Sequence, residues 1–171
     1  MRTYLKWGLP LLVVALLSYL IWGFTNKLNQ KQKTADRIQT LPTFTAYGLD
    51  SSVIHTAQLA NRPTVFIYFD PDCEHCQREA EELHKRASLL NNAAIILLSS
   101  APLTILKTFA QTYQLGKLTN VQVAHIDRKS AYETFGFTSI PDILIYRSNG
   151  SLAKHFQGET SIEAIARYIA P

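Results

Sequence analysis

Two cysteines, Cys73 and Cys76, stand one helical turn apart with only Glu74 and His75 between them. A thiolate is the nucleophile of disulfide exchange, and sulfurs at this spacing can close a disulfide and reopen it. The residues on either side supply the frame. Thr64 to Phe69 is a β-branched and aromatic run, consistent with a buried strand, and it stops at the turn signal Asp70-Pro71. The period then changes. Cys76, Ala80, Leu83, Ala87 and Leu90 recur at steps of four and three, one face of an amphipathic helix, while Gln77, Arg78, Glu79, Glu81, Glu82, Lys85 and Arg86 take the other. Asp72 is the expected N-cap, which puts Cys73 in the first turn, where free N–H groups favour a negative sulfur. Cys73 is thus the expected attacking thiol. Cys76, on the apolar face, is the expected resolving thiol that releases the partner from a mixed disulfide.

Three neighbours are candidates for tuning the pair. A protonated His75 would stabilise a thiolate, whereas Asp72 and Glu74 are anions that oppose one, and the sign of the sum stays open. The competing use of C-x-x-C is a zinc half-site. No second C-x-x-C exists and the five histidines are scattered, so redox chemistry is the preferred reading, with no metal or other cofactor expected.

The pair belongs to a chain of 171 residues, 47% hydrophobic and 18% charged, which suits one globular domain plus an accessory segment. The accessory segment comes first. Between Lys6 and Lys27 no residue is charged, and at about 1.5 Å per residue this run of residues 7–26 makes roughly 30 Å of helix, enough to cross a bilayer core. Trp7, Tyr19 and Trp22 suit interfacial anchors. No small-x-small cleavage site follows, so a retained anchor is preferred over a signal peptide. Residues 1–6 are then a short tail, 7–26 a transmembrane anchor, 27–40 a polar tether or helical stalk, and 41–171 the domain. Residues 1–37 hold six Lys/Arg and one acid, a net +5, leaving eleven Lys/Arg and twelve acids beyond, a net −1. The basic pI therefore belongs to the arm and gives no support to nucleic-acid binding. Lys27, Lys31, Lys33 and Arg37, counted alone, favour keeping the domain inside.

Within the domain, Thr43 to Tyr47 and Ser52 to His55 read as a hairpin. Further strands are expected at 93–99, 121–126, 142–146 and 152–157, and further helices at 102–113, 129–135 and 161–169. Ser148-Asn149-Gly150 is a hairpin turn. This alternation gives an α/β fold with a mixed sheet and helices on both faces.

The strand-CEHC-helix unit, Ile140-Pro141 ahead of the penultimate strand, and the closing hairpin and helix resemble the thioredoxin fold over roughly residues 40–171. The leading hairpin and an extra helix-strand pair near 102–126 look more like its membrane-anchored thiol-disulfide oxidoreductase branch, the TlpA/ResA-like and AhpC/TSA-related redoxins. That resemblance implies a cis proline at Pro141, lying against the cysteine pair, with Ile140 free to pair its main chain with an extended substrate segment. It also implies protein thiols and disulfides as partners, an upstream thiol electron donor, and a single-pass position in a bacterial inner membrane with the domain facing the periplasm or cell exterior. The sequence departs from the family at Ile67, where many thioredoxins carry a buried acid, leaving Asp70, Glu74 and His75 as nearby candidate bases. Asp70 replaces the threonine of peroxiredoxins, and the cysteines are one residue closer than in copper-delivery relatives.

The leading expectation is a tethered protein-disulfide oxidoreductase acting as a reductant, with cytochrome c maturation as one setting. The alternatives are a copper or zinc handler using Cys73, Cys76 and His75, and a non-catalytic interaction module on the same fold.

Overall fold

The computed structural model describes residues 2–59 and 61–169, with side chains described for 12–29, 32–59 and 61–169. A helix, α1 (Arg2–Arg37), precedes seven strands: β1 (Thr45–Gly48), β2 (Val53–His55), β3 (Thr64–Tyr68), β4 (Ala94–Ser99), β5 (Val121–His125), β6 (Asp142–Tyr146) and β7 (Leu152–Gln157). The remaining helices are α2 (Glu74–Lys85), α3 (Leu103–Thr112), α4 (Arg128–Phe135) and α5 (Ile162–Ile169). The chain divides into two compact units at Asp36 and Arg37.

In the first unit, Leu12, Val14, Leu16, Leu20, Ile21, Trp22 and Phe24 are all exposed. Among the described residues no helix is long and apolar enough to cross a membrane. The span expected at 7–26 begins with residues 7–11, whose side chains lie outside the described ones. Helix continues through the stretch expected as a tether, and the second unit starts at Arg37, ahead of the expected boundary at 41. The reason is local. Ile38 is buried among aromatic side chains, the Gln39 carbonyl accepts from the Leu152 amide at 2.8 Å, and Thr40 bridges to Ser151.

The second unit is one sheet of order β2-β1-β5-β4-β3-β6-β7. β3, β4 and β5 run parallel, while β6 pairs antiparallel with β3, and β7 with β6. Every residue of β3, β4 and β6 is buried, as expected of near-continuous apolar strands covered on both faces. Alternation along β3 separates two cores. Val65 and Ile67 face the side holding Cys76, Ala80, Leu83, Leu106, Ile162 and Ile165. Phe66 and Tyr68 face Phe44, Phe135 and Phe137, with the Phe66 and Phe135 rings 4.9 Å apart. The helix-strand pair α3–β5 is the expected insertion, and it supplies an added parallel strand. Two glycines end elements as their left-handed φ permits: Gly136 (φ 71) caps α4, and Gly150 (φ 79) turns β6 into β7.

Candidate active site

β3 ends at Tyr68, and the chain turns on Asp70 before entering α2. Asp70 Oδ1 accepts from the Asp72 amide at 3.0 Å, and the Asp70 carbonyl accepts from the Cys73 amide at 3.1 Å. These bonds close the turn one residue later than the sequence suggested. Cys73, with φ −82 and ψ 118, is therefore the N-cap in place of Asp72, and its carbonyl accepts the first helical bond from Gln77 at 3.0 Å. Its sulfur makes no capping bond, so a half-exposed thiol stands at the helix mouth beside unpartnered amides. α2 itself stops at Lys85, short of the expected Leu90, and a 3-10 turn, Ala87–Leu90, completes the apolar stripe.

Cys76 is 3% exposed and packs into the core with Ile67 and Phe69. Both cysteines are free thiols one helical turn apart, near enough for Cys73 to raise the Cys76 thiol. Burial holds the Cys76 thiol far above the ordinary thiol range, the Cys73 sulfur and Glu79 add to this, and the Asp70 backbone acts the other way. Cys76 is thus a protonated thiol until a base takes its proton.

Glu79 was expected on the solvent face of α2, and the structure buries it. Only 5% of it is exposed, and neither carboxyl oxygen has a well-formed hydrogen-bond partner. Residues 76, 79, 80 and 83 form one i, i+3, i+4, i+7 stripe, all buried, so the signal was present in the spacing and was masked by the acidic side chain. Burial, then the negative charge of Glu159, push the Glu79 carboxyl up to about 8, with the Thr160 backbone partly offsetting them.

Of the candidate tuning residues, Asp72 and Glu74 are exposed. His75 is exposed as well but engaged. Its Nδ1 lies 2.5 Å from Glu159 Oε2 and 2.7 Å from Arg78 Nη2. Arg78 grips the same carboxylate in a fork, Nε to Oε1 at 3.1 Å and Nη2 to Oε2 at 2.8 Å. The Arg78 bonds, then His75, hold the Glu159 carboxyl down at about 2. Glu159 sits between β7 and α5 and had no signal in the sequence.

The second expected element, Ile140-Pro141, precedes β6, and its peptide bond is cis. Tyr68 pairs with Asp142 across the sheet, so the Pro141 loop and the cysteine turn leave the sheet from adjacent strand ends. Pro141 is buried, and its carbonyl accepts from the Gly158 amide at 2.8 Å. Ile140 is 40% exposed. Beneath them Asp142, wholly buried, fixes the loop: Oδ2 accepts from the Thr138 amide (3.2 Å), the Ser139 amide (3.4 Å) and Ser139 Oγ (3.0 Å), and Oδ1 lies 2.5 Å from His155 Nε2. Asp142→Ala removes a wholly buried acceptor from four partly exposed donors. It should lower stability by about 1–3 kcal/mol, read as a fall in the urea midpoint at unchanged slope. A midpoint within error of wild type would show that the loop is held by other contacts.

A model of the thioredoxin-like domain family matches residues 50–170. The chain belongs to this family. Solved structures agree on the thioredoxin-like fold. MTB DsbF is 20% identical with a TM-score of 0.64, covering 78% of this chain and 94% of that one. A secreted Mycobacterium tuberculosis disulfide oxidoreductase homologous to E. coli DsbE is 21% identical with a TM-score of 0.63, covering 78% and 96%. A thiol:disulfide interchange protein of the thioredoxin family from Chlorobium tepidum is 15% identical with a TM-score of 0.64, covering 77% and 93%. At these identities the likeness concerns the fold. None of the curated proteins matches the chain by sequence.

In this thioredoxin-like domain the central strand carries Ile67, 2% exposed, where many thioredoxins carry a buried acid. A buried carboxyl is present all the same, supplied from α2 by Glu79, one turn beyond Cys76. Among the described residues no group of three or more His, Cys, Asp or Glu side chains is arranged to hold a metal ion.

Proposed function

We propose that the protein is a thiol-disulfide oxidoreductase that reduces disulfides in partner proteins. The observation that carries this reading is the partly exposed Cys73 thiol at the N-cap of α2, with the buried Cys76 thiol one turn behind it. The Cys73 thiolate attacks one sulfur of a partner disulfide. A Cys73–partner bond forms, the partner's own bond breaks, and the departing sulfur leaves as a thiolate. Cys76 then gives up its proton to Glu79 and attacks Cys73, which releases the second partner thiolate and leaves a Cys73–Cys76 disulfide. Two electrons have passed to the partner, and an upstream dithiol donor restores the pair. Ile140, exposed beside the cis Pro141, offers its main chain to an extended segment of the partner.

The electrostatics of Cys76 support this direction. A strong oxidant stabilises its reduced form as a thiolate. Burial keeps Cys76 protonated in the reduced pair, which leaves the disulfide comparatively favoured and supports a reductant. A two-electron potential below about −220 mV, measured against glutathione or dithiothreitol, is the expected result. A value near that of the oxidant DsbA, about −120 mV, would reverse the direction.

The exposed apolar side chains of α1 from Leu12 to Phe24 support a tether within residues 7–26. The resemblance to membrane-anchored redoxins supports export of the domain across a bacterial cytoplasmic membrane, where cysteine pairs oxidised before haem attachment in cytochrome c maturation would be one substrate class. Retention of the full chain in membranes after alkaline carbonate extraction checks the tether, and release into the supernatant would remove it.

A further inference from the structure

α2 and the start of α5, with the segment leading into it, border a partly open cavity of about 230 Å³ lined largely by charged and hydroxyl-bearing residues. Ion pairs between the two elements border it on either side: Arg78 with Glu159 toward the cysteines, and Arg86 with Glu163 farther along α2. Glu79 lines it with neither carboxyl oxygen in a well-formed hydrogen bond, Thr160 and Ser161 line it too, and a space of this size beside a buried carboxyl admits water. The charged and titratable groups around Glu79 are Arg78, Glu82, Arg86 and Cys76 from α2, Cys73 at its N-cap, Glu159 from the approach to α5, and Glu163 from its first turn.

We propose that Glu159 is a positioning residue that, from the rim of this cavity, controls transfer of the Cys76 proton through Glu79 to solvent. The proposal rests on the oxidoreductase reading above. When Cys76 attacks a mixed disulfide on Cys73, the Cys73–Cys76 bond forms and the Cys73–partner bond breaks. The partner sulfur leaves with the electron pair, and the proton of Cys76 passes to the Glu79 carboxylate and on to water in the cavity. This step needs Glu79 ionised. Glu159 is the like charge that opposes its ionisation, and Arg78 and His75 fix where that charge sits. Glu159 thereby sets the pH at which the resolving step becomes fast.

The test uses the reduced full-length protein and the aromatic disulfide 5,5′-dithiobis(2-nitrobenzoate), followed in stopped flow. One aryl thiolate is released as Cys73 is capped, and a second as Cys76 closes the internal disulfide. In Glu159→Gln the midpoint of the second phase should move to lower pH, and its rate at pH 7 should rise roughly two- to fivefold. Glu159→Asp should restore the wild-type midpoint, and His75→Ala, which keeps the Glu159 charge, should not reproduce the displacement. An unchanged midpoint in Glu159→Gln, or the same displacement in His75→Ala, overturns the proposal. A wild-type protein that releases only one aryl thiolate overturns the oxidoreductase reading itself, and this inference with it.

Discussion

Cys73→Ser should lower disulfide exchange with a protein substrate by roughly three orders of magnitude or to the limit of detection, because a hydroxyl does not ionise at neutral pH and cannot take the place of the thiolate. Cys76→Ser should behave differently. It keeps the attacking sulfur, half exposed at the N-cap of α2, and removes only the group that resolves the adduct. Mixed disulfides between Cys73 and natural partners should then accumulate and be visible as reducible high-mass species. The asymmetry follows from burial, since a partner chain meets Cys73 at the surface, while Cys76, 3% exposed, is reached only by its neighbour. Adducts through Cys76 in a Cys73→Ser background, equal in yield to those through Cys73, would reverse the assignment. Full cellular function of the double serine variant would point instead to a non-catalytic module.

Glu79→Gln should change both the pH dependence of stability and that of exchange. In the folded protein the carboxyl is pushed up from 4.5 to about 8. A raised carboxyl pKa means that the folded state binds a proton more tightly than the unfolded chain, so stability falls as pH rises between those two values and is level above the upper one. For a group this deeply buried the loss across the window is on the order of 4–5 kcal/mol. Glutamine cannot ionise, so the variant's unfolding free energy should stay nearly flat between pH 5 and pH 9 where the wild type declines. At pH 9 the variant should be the more stable of the two. The same substitution removes the base for Cys76, and the resolving step should slow by about 10²-fold at pH 8 with little change in the first attack. Parallel stability curves for the two proteins would show that Glu79 is ionised or solvated in a way its burial does not suggest. An unaltered resolving rate would move the base elsewhere.

Much of the fold was legible because it is written locally. The β-branched run at Thr64 to Phe69, the change of period after Pro71, and the turn at Asn149-Gly150 each specify an element from neighbouring residues alone, and the strands and helices fall within a few residues of those readings. Where boundaries moved, a competing local bond was the cause. The Asp70 side chain captured the Asp72 amide, so capping passed to Cys73. At the domain edge, Ile38 found a buried site and drew the boundary toward α1. Glu79 was misplaced for a different reason: its spacing marked it as buried, but a carboxyl is ordinarily assigned to solvent, and only the packing of α5 against α2 shows how little of it is left exposed.

From the chain alone come the cysteine pair at a helix start and the Ile140-Pro141 step before a strand, since each depends on residues within a turn of one another. The tertiary structure decided what surrounds them. Glu159 meets His75 and Arg78 across more than eighty residues of chain, and the sheet register sets the Pro141 loop beside the cysteine turn. Asp142 finds its four partners partly through the β6–β7 pairing. These contacts join segments with no common local pattern, and their electrostatic effects depend on burial and distance, which exist only once the sheet and its helices have closed around them.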